Sequence, residues 1–148
     1  MQYIEAPSKN VAQFTSIFLA GGITHCPDWQ NVVTDKLKNF DLTIYNPRRK
    51  VYPTEENPLR EQIEWEYERL RSADIVSFWF SGGSLNPITL FELGSALERG
   101  QCPIVGVDLE YERYFDVKIQ VALKHPELKI CHSLDELAEE IKAKLRIV

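Results

Sequence analysis

Residues 74–83 read Asp-Ile-Val-Ser-Phe-Trp-Phe-Ser-Gly-Gly. Apart from Ser77, the segment 75–80 consists of β-branched and aromatic apolar residues, and two glycines follow after Ser81. A short apolar run without polar alternation is typical of a strand covered on both faces, as in a parallel sheet. The glycine pair indicates a turn immediately after the strand. This stretch therefore predicts a central strand of an α/β fold.

Similar runs and helical stripes alternate on both sides of this segment. The apolar runs lie at 16–20, 42–45, 74–80, 103–107 and 129–131. Between them, apolar residues recur at helical spacing in three stripes: Trp29, Val33, Leu37 and Phe40; Leu59, Ile63, Tyr67 and Leu70; and Leu134, Leu137, Ile141 and Leu145. Strands that alternate with helices predict a parallel sheet with right-handed crossovers.

Three helix boundaries have local signals. Ser133 followed by Glu136 is a capping box that begins the last helix. Asn86 followed by Pro87 predicts an N-cap and first residue of a helix that ends near Gly100. A weaker helix is expected over 116–124.

We expect residues 1–148 to form one domain with a flavodoxin-like fold. Such a fold is a doubly wound, five-stranded parallel sheet with helices on both faces. Ligands of these sheets bind outside the carboxyl ends of the strands. The residues that follow the first three predicted strands are therefore the candidates for function: Gly21, Gly22 and Ile23; Arg48 and Arg49; and Ser81 to Asn86.

Composition excludes several classes of protein. The chain has 148 residues and a formal net charge of −5, which disfavours nonspecific binding to duplex nucleic acid. No apolar run reaches 18 residues and residues 1–10 lack an apolar signal core, so we expect a cytoplasmic protein without a membrane partner. Three widely spaced cysteines form no CxxC pair, and no GxGxxG or P-loop is present. We expect neither a metal nor an organic cofactor.

Two glutamates are candidate catalytic groups. Glu92 lies in the otherwise apolar helical segment 90–94, close enough to a helix N-terminus to favour its ionised form. Phe91 and Leu93 argue against an exposed position, although most helical glutamates are exposed. Glu66 has acidic neighbours at positions 61, 64 and 68, a pattern that favours a solvated helix face.

Asp28 and Trp29 follow the first strand and could form a slot for a nucleobase. An aromatic face supplies stacking area, and a carboxylate accepts hydrogen bonds from the N–H groups of a base. Burial of Trp29 in the core is the alternative interpretation, and at this stage both remain open.

These segments together resemble the nucleoside 2-deoxyribosyltransferase family. The resemblance spans roughly residues 16–120 and is carried by the order and spacing of six short motifs: 18–22 (Phe-Leu-Ala-Gly-Gly), Asp28-Trp29, 46–48 (Asn-Pro-Arg), Trp65-Glu66, 73–76 (Ala-Asp-Ile-Val) and Asn86-Pro87 leading to 91–94 (Phe-Glu-Leu-Gly). The family has a flavodoxin-like fold, cleaves the N-glycosidic bond of 2-deoxynucleosides and passes the sugar to another base.

The resemblance implies roles for individual residues. Glu92 matches the family's nucleophile, and Glu66 stands where an acidic residue supports the sugar hydroxyls. Asn86 occupies a position where an aspartate often helps to protonate the departing base. The remaining implied substrate-binding residues are Gly21, Gly22, Ile23, Asp28, Trp29, Arg48, Ser84 and Asp116. No cofactor is implied.

Two departures from the family pattern leave alternatives open. Phe18 stands where a tyrosine often orients the nucleophile, and the segment 116–118 is only an approximate match to a residue that a neighbouring subunit supplies. The resemblance implies a homodimer or a larger homo-oligomer. The alternatives are hydrolysis of 2-deoxynucleoside 5-monophosphates, with Arg48, Ser81 or Ser84 at the phosphate, and a nucleotide-binding module without catalysis.

Overall fold

The computed structural model describes residues 1–147. Those residues form one sheet in which all neighbouring strands are parallel. The strands are β1 (Gln2–Glu5), β2 (Ser16–Gly21), β3 (Thr43–Asn46), β4 (Ile75–Phe80), β5 (Ile104–Val107) and β6 (Ile130–Cys131). The helices are α1 (Trp29–Leu37), α2 (Glu56–Ser72), α3 (Pro87–Glu98), α4 (Tyr114–Lys124) and α5 (Leu134–Leu145).

The strand order confirms the predicted fold class. The sheet runs β1-β3-β2-β4-β5-β6. When β1 is set aside and the other strands are numbered along the chain, the order becomes 2-1-3-4-5, which is that of flavodoxin. The winding reverses between β2 and β4, so the crevice expected to bind ligands opens at the carboxyl ends of these two strands.

The sheet separates two apolar cores. Ile17 and Leu19 of β2 pack on one face with buried residues of α1 and α5. Phe18 and Ala20 of the same strand pack on the other face, where α2, α3 and α4 lie. Because successive side chains of a strand point to opposite faces, a continuous apolar run is what such a strand requires.

The prediction of five strands is wrong by one. β1 pairs in parallel with β3 at the edge of the sheet, in the register Gln2 with Thr43 through Glu5 with Asn46. Only Ile4 of β1 belongs to the apolar core. An edge strand with a single buried apolar side chain lacks the apolar run by which the other strands were predicted.

The stripe predicted for α2 lies on the wrong face of the helix. Ile63 and Tyr67 are 52% and 57% exposed. The buried residues of α2 are Gln62, Trp65, Glu66 and Leu70. Trp65 packs against the rings of Phe18 and Tyr45, and this contact turns the helix so that Gln62 and Glu66 point inward.

The other helices are close to their predicted positions. Ser133 Oγ accepts the backbone N–H of Glu136 at 3.1 Å, which confirms the cap of α5. α3 begins at Pro87, but the Asn86 side chain makes no capping hydrogen bond, which corrects one detail of that prediction.

Among the described residues, no helix combines the length and the apolar character that a bilayer crossing requires.

Candidate active site

A cavity of about 360 Å³ opens at the carboxyl ends of β2 and β4, where the strand order reverses. Its walls come from β2 and the loop after it, the loop after β3, helix α2, the loop after β4 and the first turns of α3. Its lining includes seven of the predicted site residues: Gly21, Gly22, Ile23, Glu66, Ser84, Asn86 and Glu92. The cavity therefore opens at the edge of the sheet where the sequence predicts ligand binding.

Glu66 and Glu92 face this cavity from two different helices. Glu66 is buried on α2, contrary to the solvated position that its acidic neighbours favoured. Burial raises the pKa of Glu66. Burial, and in second place the charge of Glu66, raise the pKa of Glu92 to about 8. Two carboxyl groups that share a cavity resist simultaneous ionisation, and perturbed pairs of this kind are frequent in active sites.

Phe91 does not shield Glu92 from solvent, contrary to the expectation from the sequence. Phe91 is 76% exposed and points away from the core, although Leu93 is buried. Glu92 borders the cavity because it lies on the same side of α3 as Thr89, Leu93 and Ala96, which are buried. The helix face, and not the polarity of the neighbours in sequence, determines the position of this carboxyl.

A chain of side chains holds Glu66 in place. The Gln62 amide donates to Glu66 Oε1 at 2.6 Å and to the Pro47 carbonyl at 2.9 Å. Arg49 Nη1 donates to Gln62 Oε1 at 3.5 Å. Gln62 is fully buried, so these contacts fix the carboxylate of Glu66 relative to the loop after β3. One oxygen of Glu66 has no hydrogen bond from the described residues.

Asn86 is held too tightly to protonate a base. Its Nδ2 group donates to the carbonyls of Ser81 and Ser84 at 3.3 and 3.1 Å, and its Oδ1 accepts from the Cys26 thiol at 3.3 Å. An amide has two N–H donors, and both are used here. Asn86 has a left-handed backbone (φ 47°), which asparagine tolerates better than most residues. The expected role in proton delivery is therefore replaced by one in shaping the loop.

Gly22 lies where no side chain fits. A Cβ atom built on Gly22 would collide with Asn86 Oδ1 and Cys26 Sγ. A Cβ on Gly21 would lie 2.6 Å from the carbonyl oxygen of Trp79. The two glycines thus allow the backbone after β2 to form the cavity wall at close range.

Trp29 is a core residue and not a stacking platform. Its side chain is 1% exposed and belongs to the core between the sheet, α1 and α5. Its indole N–H donates to the Gly22 carbonyl at 3.1 Å, from behind the cavity wall. The expected slot for a nucleobase is therefore absent from the lining of the cavity, because the first turn of α1 directs this ring into the core.

Asp28 and Arg48 support the wall from outside the cavity. Asp28 Oδ1 caps α1 by accepting the backbone N–H of Asn31 at 3.3 Å. The Arg48 guanidinium donates to Gln30 Oε1 at 2.9 Å and to the carbonyls of Pro27 and Cys26 at 2.9 and 3.2 Å. These three hydrogen bonds hold the loop before α1. They also engage the Arg48 guanidinium with groups of the protein, so it does not face a substrate.

Two other predicted residues lie elsewhere. Asp116 lies in a separate depression between α3 and α4. Ser81 is buried and contributes to a depression on the opposite side of the sheet edge, beside Asp28 and Trp29. Away from the cavity lining, Cys102, His125 and Glu127 bring possible metal-ligand atoms within 4.8 Å of one another, a grouping that the wide sequence spacing did not indicate.

The sequence-based prediction missed two titratable residues of the cavity wall. Tyr52 lies in the loop after β3, and burial, followed by the charges of Glu66 and Glu92, raises its pKa to about 12. His25 lies in the loop after β2 with a left-handed backbone (φ 57°). In the sequence, only their positions after predicted strands indicate that these two residues could lie in the cavity wall.

Comparison with known proteins places the fold and the family. A crystal structure described as a conserved protein from Enterococcus faecalis V583 superposes with a TM-score of 0.57. The two chains share 16% sequence identity over 88% of this chain and 99% of that one, so the similarity concerns the fold. No curated protein matches the chain.

The family model described as nucleoside 2-deoxyribosyltransferase like matches residues 15–111. That range contains the whole lining of the cavity and both carboxyl groups. The chain belongs to the nucleoside 2-deoxyribosyltransferase-like family.

Proposed function

We propose that the chain is an enzyme that cleaves the N-glycosidic bond of 2-deoxynucleosides and transfers the sugar to another base. The observation that carries this proposal is the pair Glu66 and Glu92 in one cavity, within a chain of this family. Cleavage of such a bond develops positive charge at C1 of the sugar, and an adjacent carboxylate stabilises or captures it.

In the first step, a Glu92 carboxylate oxygen bonds to C1 while the bond from C1 to the base nitrogen breaks. The bonding electron pair leaves with the base, which takes up a proton. In the second step, a nitrogen of an incoming base attacks C1, loses its own proton and releases Glu92. The reaction therefore needs an ionised Glu92, although in the substrate-free cavity the pKa of that carboxyl is about 8.

Glu66 is assigned to the sugar. Its Oε1 is held by Gln62, and its second oxygen is left to accept a hydrogen bond from a sugar hydroxyl. The backbone of Gly21, Gly22 and Ile23, together with Ser84, would line the rest of the sugar site. We assign Asn86 to the shape of this wall because its amide is already hydrogen-bonded.

Several further expectations remain part of this proposal. Residues 1–148 would act as one domain in the cytoplasm, without a metal or an organic cofactor. Asp116 lies outside the cavity of its own chain, so it can contribute to a site only from a second copy. We therefore propose a homo-oligomer, at least a dimer, in which residues 111–120 reach the neighbouring cavity.

Hydrolysis of the same bond is the second candidate. Trp29 is buried, so its ring cannot hold an incoming base and keep water from C1. Ser84 and the first turn of α3 also border the cavity, and a helix N-terminus suits a 5-phosphate. A module that binds nucleotides without turnover is the third reading.

One experiment separates these functions. The protein is incubated with each 2-deoxynucleoside or its 5-monophosphate, with and without a different free base, and the products are resolved by chromatography. Exchanged nucleosides support transfer, whereas free deoxyribose or its 5-phosphate with no exchange supports hydrolysis. Binding without products in either case would contradict an enzyme, and Glu92→Gln serves as the control for background cleavage.

A further inference from the structure

The proposed reaction requires a proton for the departing base, and most polar groups of the cavity cannot provide it. Both N–H groups of Asn86 are bonded to backbone carbonyls. The Tyr52 phenol keeps its proton tightly, because burial raises its pKa to about 12. The hydroxyls of Thr24, Ser84 and Thr89 are weaker acids still. The carboxyls Glu66 and Glu92 are assigned to the sugar.

His25 is the remaining side chain of the described lining whose chemistry suits a general acid. It lies in the loop after β2, and this exposed side chain borders the cavity where the cavity meets solvent. Glu66 lies at the buried end. A sugar held by the two carboxyls would direct its base toward the open end, where His25 stands.

The backbone of His25 is a second and independent observation. Its φ of 57° is in the left-handed region, which costs a residue other than glycine of order 1 kcal/mol or more. Strained residues of this kind persist where the surrounding structure holds them, and they cluster at functional sites. Here the loop is held by the Cys26 thiol on Asn86 and by Arg48 on the carbonyls of Cys26 and Pro27.

We propose that His25 is the general acid that protonates the departing base. This assignment rests on the proposed function. As the bond from C1 to the base nitrogen breaks, the imidazolium N–H proton passes to the base and the ring becomes neutral. When an incoming base attacks C1, its N–H proton passes to His25, which restores the imidazolium. The proton count is the same before and after one transfer.

The test compares two leaving groups. The first substrate is whichever common 2-deoxynucleoside the wild type cleaves fastest, and the second is 4-nitrophenyl 2-deoxyribofuranoside, whose leaving group departs without a proton. His25→Asn keeps a residue that tolerates the left-handed backbone. We expect it to lower kcat for the nucleoside by about 10²-fold or more and to leave kcat for the nitrophenyl substrate within about threefold.

Two controls isolate the role of the ring. His132→Asn changes a histidine outside the cavity lining and should leave both rates unchanged. Added imidazole should restore part of the nucleoside cleavage in His25→Gly and should have no effect on the wild type.

Equal losses on both substrates, or no loss on either, would overturn the assignment while leaving the proposed function in place. A wild type that cleaves neither substrate would overturn the proposed function, and the assignment with it.

Discussion

The indole N–H of Trp29 donates to the carbonyl oxygen of Gly22 across 3.1 Å. The backbone of Gly22 forms part of the cavity wall, whereas the Trp29 ring lies in the core behind it. A core side chain therefore sets the position of a wall that a substrate would touch. Arg48 supports the same loop from another direction.

We expect Trp29→Phe to lower kcat/KM, with only a small decrease in the free energy of unfolding. Phenylalanine fills much of the space but cannot donate to Gly22, so the wall loses its support. Leu37→Ala is the control, since Leu37 is buried at the far end of α1. It should lower the free energy of unfolding by about 2–5 kcal/mol and leave kcat/KM unchanged. Urea unfolding and steady-state kinetics measure both quantities, and equal activity losses in the two variants would contradict the role of Trp29.

Gly22→Ala should lower kcat/KM by about tenfold or more, because even a small displacement of groups in the site slows the reaction. The added Cβ would collide with Asn86 Oδ1 and Cys26 Sγ and would displace the loop after β2. Gly94→Ala is the matched change, because a Cβ there meets nothing within 4 Å. Alanine at this helical position should raise stability by roughly 0.5–1 kcal/mol with activity retained. Full activity of Gly22→Ala would refute this prediction.

The pH dependence should report the ionisation of Glu92. With 4-nitrophenyl 2-deoxyribofuranoside, which needs no acid, kcat/KM should rise as Glu92 loses its proton, with a midpoint near pH 8 and a plateau at higher pH. Glu66→Gln removes the charge that contributes to this raised pKa, so the midpoint should move to lower pH. Rates measured from pH 5 to 9.5 give both midpoints. A wild-type midpoint near that of an ordinary glutamate would count against the assignment.

Glu92→Gln should inactivate the enzyme and stabilise it. Loss of the nucleophile should lower the rate on the order of 10³-fold or more. Because the folded-state pKa of Glu92 is raised, the wild type loses stability as the pH rises from about 4.5 to about 8. The variant avoids that loss, so it should be more stable than the wild type by roughly 1–3 kcal/mol at pH 8.5 and equal to it at pH 4.

Urea unfolding at the two pH values tests this difference. Glu64→Gln, an exposed change on α2, is the control and should match the wild type at both. An unfolded Glu92→Gln protein would show that Glu92 serves the fold, and a variant no more stable than the wild type at pH 8.5 would contradict the raised pKa of Glu92.

We expect a homo-oligomer in solution. Phe115, Ile119 and Leu123 are exposed and spaced four residues apart on α4, so they form one apolar stripe. Tyr111, which precedes α4, is not part of this stripe: it is buried, and its hydroxyl donates to the Leu85 carbonyl at 2.7 Å. Light scattering should give a multiple of 17.1 kDa.

Phe115→Arg should reduce that mass toward the value of one chain and lower activity, because Asp116 would no longer reach a neighbouring cavity. Val11→Arg, an exposed change outside α4, should do neither. A wild type with the mass of one chain at micromolar concentration would contradict this prediction.

The sequence was sufficient to predict the strands that are buried on both faces, because such strands consist of a continuous apolar run. β4 and β2 could be predicted for that reason, and with them the edge of the sheet where the cavity opens. β1 could not, since its single core residue Ile4 gives no pattern. For α2, apolar spacing suggested the wrong face because polar Gln62 and Glu66 point inward while Tyr67 stacks on Arg71 at the surface.

Side-chain direction limited the prediction of the site. Trp29 is close to the cavity in sequence and in space, but its helix face turns the ring away from it. His25 and Tyr52 lie in loops whose paths depend on tertiary contacts, so their positions could not be deduced from spacing. The apolar helical segment 90–94 and the family motif both indicated Glu92, although the argument from Phe91 was wrong.

Strand β1 has a consequence for anyone who removes the residues that precede the family-matched range 15–111. Besides its ladder to β3, the N-terminal segment supplies the Tyr3 hydroxyl that accepts from Asn46 and the Ser8 carbonyl that accepts from Trp65. Without it, the backbone donors and acceptors along one side of β3 would be open to another chain, which is a route to aggregation. The first residues therefore cover the edge of the sheet. A chain without them would aggregate before its activity could be measured.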